Sequence, residues 1–160
     1  MTPTELLDKL DELSQAFDDP EKGDAAYLDF LVLESKHRDD LAKITDRNEL
    51  ARMREIYMRV LANARNSSEK ELAIFFHGME AVDGSNEEVV ETIKELRDEL
   101  SAVFEEIEEK LKNASTAEEI LLYTSKNPEL NQRLQSIVTR LFKTFSKKTG
   151  IEIEVDFENS

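Results

Sequence analysis

Two histidines, a run of acids and a row of bases are the residues of this chain with the clearest capacity for chemistry. Glu34 and His37 stand three apart in Glu34-Ser35-Lys36-His37, a spacing that puts a carboxylate and an imidazole on one face of a helix. A dinuclear metal site held between helices needs two such pairs and further carboxylates. The other histidine, His77, has Ile74 three residues before it, so no second pair exists, and Glu34 and His37 are expected to face solvent. His77 lies among Phe75, Phe76 and Met79 and is expected to be partly buried.

The acids cluster at Glu88, Glu91, Glu95 and Asp98, which spell Glu-x-x-Glu followed by Glu-x-x-Asp. That pair of motifs resembles the magnesium sites of helical nucleoside-triphosphate pyrophosphohydrolases. In those enzymes the motifs lie on separate helices that face each other around the ion. Here they lie on one helix with Glu91 and Glu95 four apart, so they cannot enclose a cation, and the solvated face of an amphipathic helix accounts for them. Nucleophilic catalysis has no support either. Cys is 0 and Gly is 4, leaving no thiolate, no serine elbow and no glycine-rich phosphate loop. No cofactor, no metal and no enzymatic activity are expected.

The bases form a different pattern. Arg133, Arg140 and Lys147 are seven apart, with Lys143 beside them, so they align along one helix. Residues 120–150 carry 6 bases and 1 acid, whereas residues 67–119 carry 5 bases and 16 acids. The stripe is either a phosphate- or acid-binding surface or the complement of the acidic helix just before it. The short connection between the two favours the second reading. A net charge of −15 repels phosphates, so direct binding of nucleic acid is not expected.

The elements that position these residues are helical. A hydroxyl or Asx residue followed three places later by Glu recurs at Thr2, Asp46, Ser68, Ser85 and Thr116, and each is a capping-box signature. Helices are expected over 3–17, 24–44, 47–66, 69–82, 86–114, 117–126 and 128–148. The block Tyr27, Leu28, Phe30, Leu31, Val32 and Leu33 is apolar around most of its helix, so it must lie centrally or face a partner. Arg47, Arg52, Arg54, Arg59 and Arg65 are expected on an outer face. In 86–114, Val89, Ile93, Leu96, Leu100, Val103, Ile107 and Leu111 follow bundle spacing, which makes this the longest helix and the spine. At the end, Ile151, Ile153, Val155 and Phe157 alternate with acids as in a β-strand. A lone strand needs hydrogen-bonding company from elsewhere.

The expected architecture is all-α: one helical bundle of six to seven helices over 1–150, with a long central helix and a short strand over 151–157 in a 151–160 tail. No apolar run spans a bilayer, and residues 1–10 lack the basic start and apolar core of a signal peptide, so a cytoplasmic protein is expected. The expected function is non-enzymatic protein–protein interaction or self-association, as an adaptor, assembly subunit or regulator. Its contact residues are Ile151, Ile153, Val155, Phe157, Arg133, Arg140 and Lys147. A second reading is an acidic surface that imitates DNA phosphates and blocks a nucleic-acid-binding protein. A third is a metal-dependent hydrolase built on the clustered carboxylates.

Overall fold

The structure is a computed structural model that describes residues 1–83, 87–124 and 128–149. Seven helices lie in these residues: α1 (Pro3–Gln15), α2 (Gly23–Lys36), α3 (Arg38–Ala42), α4 (Arg47–Asp83), α5 (Glu87–Lys112), α6 (Ala117–Thr124) and α7 (Pro128–Thr149). Among the described residues there is no strand, and no helix is long and apolar enough to cross a membrane. The expected strand over 151–157 lies outside the described residues, as do Gly84, Ser85, Asn127 and Gly150.

The chain forms two compact units. The first takes residues 1–64 and 106–126; the second takes residues 65–105 and the α7 segment. α4 and α5 each contribute a stretch to both.

Three of the expected caps form. The Thr2 hydroxyl accepts from the Glu5 amide at 3.1 Å, the Asp46 carboxylate from the Glu49 amide at 3.1 Å, and the Thr116 hydroxyl from the Glu119 amide at 3.2 Å. Each satisfies one orphan donor of a helix start. Ser68 is a correction. It sits inside α4, which runs unbroken for 37 residues and is longer than the 26-residue α5. Asn66-Ser67-Ser68 contains weak helix formers but neither Gly nor Pro, and weak formers cost only about 0.5 kcal/mol each. Arg65 Nε reaches the Glu69 carboxylate at 3.3 Å, an i,i+4 bond across the expected break.

The opposite correction falls at His37. The helix expected over 24–44 divides there into α2 and α3, with His37 at φ −116° and ψ 20°. The cause is tertiary. Glu34, expected at the surface, is only 4% exposed; its carboxylate accepts from the Tyr57 hydroxyl of α4 at 2.7 Å and from Arg38 Nη1 at 3.4 Å. The bend lets Leu41 of α3, and Ile44 just beyond its end, be buried. α2 begins at Gly23 because a Cβ there would meet the Phe17 carbonyl oxygen at 2.4 Å.

An aromatic chain fills the first unit. Tyr27, Phe17, Phe30 and Tyr57 touch in succession edge to face, with centroids 5.4, 5.5 and 5.8 Å apart, the arrangement their quadrupoles prefer. Leu7, Leu10, Met53 and Ile56 complete the centre with no exposure. Burial first, and then the adjoining Glu34 carboxylate, push the Tyr57 phenol well above its usual range and the Tyr27 phenol upward.

Of the arginines expected on an outer face of α4, Arg47 is exposed, but Arg52, Arg54 and Arg59 are half-buried against other elements. Arg52 bonds Asp8 and Asp11 of α1, Arg59 bonds Asp11 and donates to the Ser14 hydroxyl at 2.9 Å, and Arg54 donates to the Ala114 carbonyl at 2.9 Å. Burial raises the Asp11 carboxyl, but hydrogen bonds from Gln15, Arg59 and Arg52 outweigh it and hold the group at about 2.

Two measurements test these contacts. Tyr57→Phe leaves Glu34 buried without its nearest donor and should destabilise by about 1–3 kcal/mol in urea unfolding; a midpoint equal to wild type would refute the buried bond. Asp11 is depressed below its unfolded value of 3.8, so its stabilisation is complete above that value and vanishes as pH falls through about 2. Solvent screening limits it to about 1 kcal/mol. Asp11→Asn should therefore lower Tm at pH 6 but leave it unchanged near pH 2.

Candidate functional site: an apolar groove in the second unit

Among the described residues, those singled out by type and spacing are not gathered into one site. Arg133 and Arg140 lie on α7, and Arg140 pairs with Glu99 of α5. Within the second unit, then, one base of the stripe meets the acidic helix, as charge complementarity predicts. Lys147 lies in the last turn of α7. Ile151, Ile153, Val155 and Phe157 lie outside the described residues.

The histidine readings change. His37 Nδ1 lies 3.4 Å from Asp40, whereas Glu34 turns inward to Tyr57, so the pair shares no common point. His77, expected to be partly buried, is exposed, with its ring centroid 6.0 Å from that of Phe76. Among the described residues no group of three His, Cys, Asp or Glu side chains converges closely enough to hold a metal ion.

What the second unit does present is an apolar groove with a volume of about 240 Å³. Leu72 of α4, Leu100 of α5, and Ile137 and Leu141 of α7 are buried at its floor. Phe75, Leu134, Val138 and Phe142 are half-buried along its walls. The Phe75 and Phe142 rings meet edge to face at 6.0 Å. Ser68 and Glu71 are the polar residues of the described lining, and Glu71 is exposed.

This arrangement desolvates apolar groups and offers one carboxylate at its rim. Ligand pockets for whole small molecules run to roughly 300–1,000 Å³, so the groove suits a few side chains better than an enclosed cofactor. The bundle spacing of 86–114 put Leu100 in the core but did not reveal the gap beside it. The available signal was the width of the α7 stripe. Leu134, Ile137, Val138, Leu141 and Phe142 are five apolar residues in nine, more than a narrow bundle seam requires.

Comparison with protein families, curated proteins and solved structures found no match to this chain.

If the groove is open space rather than packed core, it should accept added volume. Val138→Phe should change unfolding stability by less than about 1 kcal/mol. Phe104→Ala, at a residue with no exposure, should cost about 3–5 kcal/mol. A large loss for Val138→Phe would mean that the groove is closed.

Proposed function

We propose that the chain is a non-catalytic protein-interaction module that takes an apolar helical segment of a partner into the groove between α4, α5 and α7. The observation that carries this reading is the row of half-buried apolar walls, Phe75, Leu134, Val138 and Phe142, around a buried apolar floor. Grooves bounded by helices recognise amphipathic helices through anchors at i, i+3, i+4 and i+7. Glu71 at the rim and the acid excess of α5 favour a partner that carries a base beside those anchors. The alternating residues Ile151, Ile153, Val155 and Phe157 belong to the same proposal as a second docking element that works by strand pairing.

The imitation of DNA by surface acids ranks second. Arg97 pairs with Asp98 at 3.6 Å, Lys110 with Glu106 at 3.6 Å, and Arg140 with Glu99. Cations therefore interrupt the anionic surface of α5, and a phosphate-like array needs that surface unbroken.

Selection from a displayed library of helical peptides tests the groove. Selected peptides should carry apolar anchors at helical spacing with a flanking Lys or Arg. They should bind Val138→Trp at least ten-fold more weakly, and Glu71→Lys should reverse the preference from basic to acidic flanks. Peptides that bind wild type and Val138→Trp equally would refute the docking site.

A further inference from the structure

α2 buries one side and leaves an apolar ridge on the other. Ala26, Phe30 and Glu34 point inward, while Leu28 is 62% and Val32 60% exposed. These two are the middle of a row at steps of four, Asp24, Leu28, Val32 and Lys36, all exposed. Ala25 and Ser35, the small residues beside the row, are exposed as well. Among the described residues neither Asp24 nor Lys36 has an ion-pair partner.

The row is complementary to its own reverse, with a charge at each end of opposite sign and a branched apolar residue inside each charge. We infer that it is the contact surface for a second copy of this chain, α2 against α2 about a two-fold axis. Rows at i±4 spacing from two helices interdigitate in the commonest class of helix packing. A two-fold axis lays the second row alongside the first in reverse. Leu28 then lies beside the second copy's Val32, and Asp24 beside its Lys36, with each contact made twice. Ala25 and Ser35 supply the low relief that lets the two helices approach. A parallel arrangement would set Asp24 against Asp24 and Lys36 against Lys36, so the charges select the antiparallel one.

A single helix face falls short of the roughly 1,200–2,000 Å² buried in stable complexes, so the dimer is weak and concentration-dependent. This surface belongs to the first unit and is independent of the groove.

The register can be tested directly because Cys is 0 in the chain. Leu28→Cys and Val32→Cys are made as separate variants, mixed, and oxidised mildly. The 28–32 disulfide between copies should dominate the cross-linked product over 28–28 and 32–32. In sedimentation equilibrium, Leu28→Glu should weaken the dimer at least ten-fold. Lys36→Asp should weaken it several-fold, and Asp24→Lys combined with Lys36→Asp should restore it. Val138→Trp, in the groove, should leave it unchanged. A wild-type protein that stays monomeric at millimolar concentration, or a cross-linked product without preference for 28–32, overturns the inference. Circular dichroism of the variants confirms that these exposed sites leave the helices intact.

Discussion

A carboxylate under a layer of aromatic rings governs the shape of the first unit. Removing Glu34 from water is expensive unless its oxygens find donors. Tyr57 at 2.7 Å and Arg38 at 3.4 Å supply them from α4 and from the start of α3. Those two bonds fix the rotation of α2 about its own axis. With Glu34, Phe30 and Ala26 aimed inward at steps of four, the row two residues away is about 200° round the helix. Leu28 and Val32 therefore have no route to the core. The outward apolar ridge is thus the geometric counterpart of the inward acid.

The same bond explains how the chain turns at His37 without Gly or Pro. The His37 amide is shared between the Leu33 and Glu34 carbonyls, at 3.1 and 3.2 Å, a bifurcated pattern usual at helix ends. Arg38, the first residue of α3, is the same residue that reaches back to Glu34. Turn and part-buried ion pair are one feature. Around it, the arginines of α4 fasten the neighbouring elements from the flanks of the apolar stripe. The hydrogen bond that Arg52 donates to Asp8 first, and then the one it donates to Asp11, raise its guanidinium above its ordinary value against the opposing effect of burial. Exposed pairs contribute little singly, but Asp11 accepts from two arginines and a glutamine at once, which orients α1 on α4. Arg54 acts differently, meeting a carbonyl left over beyond the end of α5 where a cation also suits the helix dipole.

Local chemistry was legible wherever it had no competitor. The caps at Thr2, Asp46 and Thr116 could be read because a hydroxyl or carboxylate three residues before an amide is a short-range matter. Ser68 has the same local pattern, yet the chain on both sides of it is helical and nothing terminates it, so propagation wins over capping. Helix faces were legible as stripes but not in their width. Leu96, Leu100, Val103, Ile107 and Leu111 are buried as spaced, while Phe104 and Leu7, adjacent to stripe positions, are buried completely. The inward turn of Glu34 was illegible because its donor Tyr57 is 23 residues away. The groove was illegible for a related reason. The identity of Leu134, Val138 and Phe142 states that they avoid water, not how much of them α4 and α5 can cover.

Charge decides which of these apolar surfaces can meet another molecule. A net charge of −15 makes two copies repel over distances of about the Debye length, near 8 Å at physiological ionic strength. General stickiness is suppressed, and contact requires a local arrangement that offsets the repulsion. In the proposed dimer Asp24 and Lys36 would form such an arrangement on α2, each negative end facing a positive one. The groove rim has the other arrangement, a carboxylate at Glu71 with no cation among the described lining residues, which suits a base on the partner at that point. The two apolar surfaces therefore differ less in hydrophobicity than in the charges that frame them, and it is on those frames that the two proposed occupants rest.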